Sequence, residues 1–190
     1  MKTSGLCCLS TLSLFFCLHK VKAARTSAPV GVPRWQDLLA EDSYKQIIID
    51  SLAWLSREDR CIIYGFVIMP NHIHLLWRIS NNHGRPEVQG ALLSYTAHQF
   101  KRRLEQESSR KLAPYFVAEA DRLYQFWQHD ALVKECWSEP FLLQKLAYIH
   151  HNPCQPHWNL VQLPEEYKWS SAHFYLKGQS EFDWLRHYAS

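Results

Sequence analysis

The sequence predicts an α+β fold, an antiparallel sheet with helices packed mainly on one face. Three observations carry this. Stretches with apolar residues every three or four positions read as amphipathic helices. Two runs rich in β-branched and aromatic residues, "CIIYGFVIM" and "HIHLLWRI", are separated only by "PN" and read as a β-hairpin. A chain of 190 residues, 47% hydrophobic and 21% charged, has the balance of one ordinary globular domain.

The first 34 residues are set apart as leader and linker. Lys2, an apolar run from Leu6 to Leu18 and "VKA" at Val21–Ala23 have the organisation of a secretory signal, and the run is too short to span a bilayer. His19, Lys20 and Lys22 argue against export, so a mis-started or degenerate gene end is the competing reading. The stretch "ARTSAPVGVP", with two prolines, a glycine and no periodicity, reads as linker. Residues 35–177 then form the main domain and 178–190 a C-terminal tail.

Within the domain, "WQDLLAEDSYKQIIIDSLAWLSRE" places Leu38, Leu39, Ile47, Ile48, Leu52 and Leu55 at helical spacing, with Asp42 or Ser43 as N-cap. After the hairpin and the break at Gly84–Pro86, a helix is expected from about Val88, with Leu92, Tyr95, Phe100 and Leu104 on one face. Its far end is basic, with Lys101, Arg102, Arg103, Arg110 and Lys111. "LYQFWQHDALV" reads as a strand or extended segment. "EPFLLQKLAYIHHN" reads as a helix that stops at Pro153. "LPEEYKWSSAHFY" is a loop with aromatic anchors.

Cysteine usage excludes a disulfide scaffold and a zinc ribbon. Three of the six cysteines sit in the leader, and Cys61, Cys136 and Cys154 are scattered without a CxxC pair. The net charge of +3 permits a nucleic-acid partner without requiring one.

In a strand, His72 and His74 share one face, opposite Ile73, Leu75, Trp77 and Ile79 on the core face. Two adjacent imidazoles can bind one divalent metal, or they are simply surface histidines of a half-exposed strand. Tyr148 and Asn152, four apart, lie on one helix face with Lys145. A phenol and an amide could approach one site together, or serve as a core residue and a helix terminus. His150, His151, Cys154 and His157 form a second cluster usable by zinc, though His150 and His151 point in different directions on a helix.

At these residues the chain resembles the REP-associated tyrosine transposases, relatives of the single-tyrosine HUH transposases of small bacterial insertion sequences. "IMPNHIHLLWRI", then "YQFWQHD", "LAYIHHNP" and "LPEEYKWSSAHFY", carry the resemblance in that order, from about Trp35 to about Leu176. It implies a ferredoxin-like or RRM-like sheet containing the HUH hairpin. It implies Tyr148 as nucleophile and His72, His74 and Asn152 as ligands of Mg²⁺ or Mn²⁺. The activity implied is cleavage and rejoining of single-stranded or hairpin DNA through a 5′-phosphotyrosine, and the alternative is a catalytically impaired relative that only binds hairpin DNA. Lys101, Arg102, Arg103, Arg110 and Lys111 become candidate phosphate contacts, against the reading of a solvated helix face, and Trp127 and Trp158 candidate base-stacking groups. The implied setting is cytoplasmic and nucleoid-associated without a membrane, or extracytoplasmic if the first 23 residues are a signal. A monomer is expected rather than a dimer.

The N-terminus departs from the pattern. Relatives begin with a central strand, and here its place holds "ARTSAPVGVPRW", whose prolines oppose a central strand. Either the strand is missing, or "LSLFFCLHK", with Leu12, Leu14, Phe16 and Leu18 alternating, supplies it.

Overall fold

The hairpin forms where composition places it. Strands β2 (Cys61–Ile68) and β3 (Ile73–Ile79) pair antiparallel, with Phe66 opposite Leu75 and Val67 opposite His74. Met69 N–H donates to the His72 carbonyl at 2.8 Å and closes the turn. His72 therefore sits at the turn and His74 within the strand. A computed structural model of the chain describes residues 13–18, 37–119, 122–127, 132–136 and 138–190. The linker and most of the leader lie outside the described residues.

The strand that the linker cannot provide comes from the leader. β1 (Ser13–Leu18) pairs antiparallel with β3, Cys17 opposite His74, and with β6 (Leu132–Cys136), Phe16 opposite Val133. The order is β2-β3-β1-β6, so of the two readings of the N-terminus the one in which the leader supplies the strand holds. Alternation of apolar residues suits the run to a sheet, and its position between β3 and β6 makes it the link between them. Loss of the first 23 residues would remove that link.

Helix α1 (Asp42–Arg57) follows a 3₁₀ turn at Leu38–Ala40 and is capped by Glu41, one residue before the expected cap. Asp42 is engaged elsewhere: its carboxylate accepts from Lys45 Nζ at 3.0 Å and from Trp169 Nε1 at 2.7 Å. Helix α2 (Arg85–Glu107) starts three residues earlier than expected, because proline fits a first helical turn, where its missing N–H is not needed. Thr96, rather than the half-exposed Tyr95, faces the core and accepts Trp127 Nε1–H at 2.9 Å. Short helix α3 (Ser109–Leu112) leads to a two-stranded unit, β4 (Phe116–Glu119) and β5 (Arg122–Tyr124). The single extended segment expected at "LYQFWQHDALV" is thus divided between β5 and β6.

Helix α4 (Glu139–His151) runs on as a 3₁₀ turn over Asn152–Cys154, which admits Pro153. The two faces of the β2–β3 ladder have different covers. Phe66 packs on Phe182 and Trp184 at ring distances of 5.1 and 5.5 Å, and Ser56 of α1 donates to the Trp184 carbonyl. That face belongs to α1, with α2 packed on it through Tyr44 and Phe100. Gly65 points the other way, where an added methyl would meet Leu146 Cδ1 of α4 at 2.6 Å. Only a glycine leaves this approach open without displacing the leucine.

β2 is an outer strand, and the C-terminal segment closes its edge. Ile68 N–H donates to the Trp169 carbonyl at 2.8 Å, Ser171 N–H to Phe66 at 3.0 Å and Arg186 N–H to Ile63 at 3.0 Å. Helix α5 (Ala172–Lys177) follows. Trp184 and Leu185 are buried, so residues 178–190, set apart as a tail by the sequence, complete the core.

Candidate active site

His74 projects from β3 on the face covered by α4 and is only 3% exposed. Of the two readings offered for the pair, that of surface histidines on a half-exposed strand does not hold for His74, while His72 is partly exposed. His72, at the hairpin turn, brings its ring to 4.8 Å from that of His74 at an interplanar angle of 82°. The two imidazoles stand edge to face.

Each ring is oriented by an asparagine. His72 Nδ1 lies 2.8 Å from Asn71 Oδ1, and an amide oxygen only accepts, so Nδ1 carries the proton and Nε2 the lone pair. Asn152, 4% exposed at the end of α4, places its amide nitrogen 3.0 Å from His74 Nε2. This nitrogen donates, so His74 Nε2 also holds a lone pair, directed at Asn152. Rotation of the amide by half a turn presents its oxygen instead.

Tyr148, one turn before Asn152, packs its ring on His74 at 5.3 Å and 77° while remaining 50% exposed. It is not the core residue that amphipathic spacing alone allows. A phenol held at the mouth of a buried imidazole pair can meet a bulky substrate from solvent. Trp158 lies on the other side, 5.7 Å from the His72 ring.

These residues fit a divalent cation: two imidazole nitrogens and one amide oxygen, from a hairpin turn, a strand and a helix end. The set is uncharged, so a cation there would keep its charge for an anionic ligand. Among the described residues no three His, Cys, Asp or Glu side chains converge, and the zinc cluster does not form. His150 is directed at Ser171 Oγ, 2.9 Å away, and His151 Nδ1 at the Ala147 carbonyl, 3.1 Å away. Burial, aided by the neighbouring His151, pushes the His150 imidazole down to about 4, so it is neutral at ordinary pH.

The basic stretch is not brought to this site. It lies along α2 and α3, packed against α1 on the other face of the sheet. Lys101 pairs with Glu105, Arg103 with Glu107, and Lys111 with both Glu107 and Glu41. Arg102 and Arg110 are exposed. Of the aromatic candidates, Trp127 is buried and Trp158 is beside His72. Tyr124, in the "YQFWQHD" stretch, packs on Phe116 and under Lys101 in the β4–β5 unit, away from this site.

Sequence reasoning missed Asn71 and Ser171, and it placed His150 in a zinc cluster rather than beside Ser171. Asn71 had a local signal, being adjacent to the HIH triplet, but "PN" also serves as a turn. The pairing of His150 with Ser171 spans 21 residues and has no periodic signature.

No protein-family profile matches the sequence, and no curated protein matches it. Solved structures do. A structure described as a REP-associated tyrosine transposase bound to a REP hairpin superposes with a TM-score of 0.60 at 15% identity, over 98% of this chain and 92% of that one. A putative transposase from Deinococcus radiodurans aligns with a TM-score of 0.45 at 16% identity, over 78% of this chain and 95% of that one. The chain therefore shares the α+β fold of the first protein. Among the described residues no helix is long and apolar enough to cross a membrane.

Proposed function

We propose that the chain is a divalent-metal-dependent DNA nuclease and strand transferase acting on single-stranded or hairpin DNA, with Tyr148 as nucleophile. The observation that carries this is the convergence of His72, His74, Asn152 and Tyr148, with His74 and Asn152 meeting across 78 residues of sequence. Fold similarity to a transposase bound to a REP hairpin supports the choice of substrate.

The Tyr148 oxygen would attack phosphorus, forming the O–P bond of a 5′-phosphotyrosine as the bond to the 3′ oxygen breaks. The phenol proton goes to solvent and the departing 3′ oxygen leaves as a hydroxyl. Attack by a second 3′-OH reverses the step and reseals a strand without an external energy source. Mg²⁺ or Mn²⁺ held by His72, His74 and Asn152 would polarise the phosphate and offset its charge. Asn71 keeps the His72 tautomer, and α4 carries Tyr148 and Asn152 on one rigid element, so nucleophile and ligand move together. The exposed guanidinium groups of Arg102 and Arg110 are the phosphate-binding groups best suited to a distal part of the hairpin. Docking of α4 on β2 of its own chain supports a monomeric unit, and the proposed substrate supports a cytoplasmic, nucleoid-associated setting.

The second reading, a relative that binds hairpin DNA without cutting it, is favoured by the absence of a carboxylate among the three candidate ligands. Incubation with Mn²⁺ and 3′-end-labelled hairpin DNA distinguishes them. A denaturant-resistant labelled adduct, abolished by EDTA, is expected. Binding without an adduct selects the second reading, and neither binding nor adduct rejects both.

A further inference from the structure

Tyr148 is half exposed, so its own packing does not fix it; its position is that of α4. Besides the packing of Leu142, Leu146 and Ile149, α4 is tied to the fold by a hydroxyl from a distant segment. From the geometry we infer that Ser171 and His150 form a positioning pair, which docks the tyrosine helix on β2 and holds Tyr148 over His74. The inference rests on the role proposed above for Tyr148.

Ser171, 1% exposed, makes three hydrogen bonds at one oxygen. Its Oγ accepts from Phe66 N–H at 3.0 Å, lies 3.3 Å from the Phe66 carbonyl and 2.9 Å from His150 Nε2. A serine hydroxyl has two lone pairs and one proton. All three contacts are satisfied when His150 carries its proton on Nε2 and donates it, Phe66 N–H donates, and the hydroxyl donates to the Phe66 carbonyl. The backbone of an outer strand, a loop and the tyrosine helix are thereby joined at one atom.

The loop is anchored on both sides of that atom. Trp169 Nε1 donates to Asp42 of α1, its carbonyl accepts from Ile68 N–H, and Tyr167 Oη donates to the Ile68 carbonyl at 2.9 Å. The 167–171 segment thus wraps the β2 edge, gripping α1 on one face and α4 on the other. Beside the pair, Leu146 approaches Gly65 without a side chain between them. His150 is two residues from Tyr148, so a shift at its end of α4 moves the phenol directly. Loss of the pair leaves buried polar atoms unpartnered and frees α4 before it disturbs the hairpin.

The test uses the full chain and four proteins: wild type, His150→Leu, His150→Gln and Ser171→Ala. Gln retains an N–H donor at the reach of Nε2. Three readouts are taken: single-turnover adduct formation with Mn²⁺ and hairpin DNA, hairpin Kd, and amide hydrogen exchange along α4 and β3. His150→Leu and Ser171→Ala are expected to slow adduct formation at least tenfold, to leave Kd within twofold, and to speed exchange in α4 more than in β3. His150→Gln should restore most of the rate. A wild-type rate in both disruptive variants overturns the inference. So does a parallel loss of protection in α4 and β3 that Gln fails to rescue, because that is a general structural role. If the wild type itself forms no adduct, the nuclease reading fails separately, and hydrogen exchange alone decides the pair: unchanged α4 protection in both variants rejects it.

Discussion

The two faces of the sheet are both covered and differ in chemistry. Under α1 and α2 the contacts are mainly aromatic and aliphatic, Tyr44 on Phe100 at 5.7 Å, Phe100 on Trp127 at 5.7 Å and Phe66 on Trp184, with Thr96 among them as the partner of Trp127. Under α4 the buried groups include His74, His150, Asn152 and Ser171. A buried polar group costs stability unless it is paired, and even then gains little over an apolar one of the same shape. The first face therefore reads as the source of stability. The second retains imidazoles and amides at a cost, which is expected where a site must bind charge.

This contrast is broken most severely at Tyr148. Tyr148→Phe removes one half-exposed oxygen from the α4 face and leaves the ring on His74. Adduct formation should drop below about a thousandth of wild type, while stability changes by less than about 0.5 kcal/mol. Gel analysis of adducts beside thermal unfolding measures both. An unchanged adduct yield would move the nucleophile to another tyrosine.

On the opposite face the pattern should invert. Phe100→Ala opens a cavity among Tyr44, Phe126 and Trp127 and should cost roughly 3–5 kcal/mol in denaturant unfolding. Activity per folded molecule should hold at temperatures where the variant remains folded. A variant that loses activity without stability would show that the faces are not separable.

How far this division was legible in the sequence depends on the range of the interactions. The hairpin, the HIH triplet and the shared helix face of Tyr148 and Asn152 follow from local periodicity, and the structure places them so. The burial of His74 was not legible, because it depends on which face α4 covers. Strand partners are equally non-local. β1 has the composition of an export signal and the pairing of a central strand, and that pairing, Leu14 with Trp77 and Phe16 with Val133, rests on residues far along the chain. Charge along α2 and its partners one turn away lie within the range of local reading, but the pairing of Lys111 with Glu41 of another element does not. Glu105 and Glu107 answer Lys101, Arg103 and Lys111 one helical turn away.

Acid sharpens the comparison next. His150 is held at about 4 in the fold, mainly by burial, whereas an unfolded imidazole titrates near about 6.5. Below that pH the unfolded chain binds a proton that the folded one refuses, so stability is complete above it and declines towards pH 4. The loss is at most roughly 3 kcal/mol. Asp42 and Glu107, toward the other face, are held below their ordinary values by the Lys45 and Lys111 hydrogen bonds, so the stability they contribute is lost only as pH falls through and below the ordinary carboxylate range. The upper part of the denaturant-unfolding curve against pH, nearer the ordinary imidazole value, should therefore report the α4 face, and His150→Gln should flatten that segment.

The smallest effect belongs to the basic helix, where the question is whether its charge reaches DNA at all. Arg103 is committed: its Nε donates to Glu107 at 3.0 Å and its guanidinium lies over Tyr44, 5.4 Å from the ring centre. Any gain from a phosphate there must first replace those interactions. Arg102 is exposed on the same helix and carries no such prior engagement in the Glu107 cluster. Each phosphate that the protein ceases to neutralise lowers the salt slope of binding by about one and, between 50 and 200 mM salt, changes affinity by roughly threefold. Arg102→Gln should therefore lower the slope of hairpin binding by about one, and Arg103→Gln by less, with adduct formation at saturating DNA unchanged in both. Titrations at three salt concentrations measure the slopes. Equal slopes in wild type and both variants would confine DNA binding to the α4 face and leave the charge of α2 to its own carboxylates.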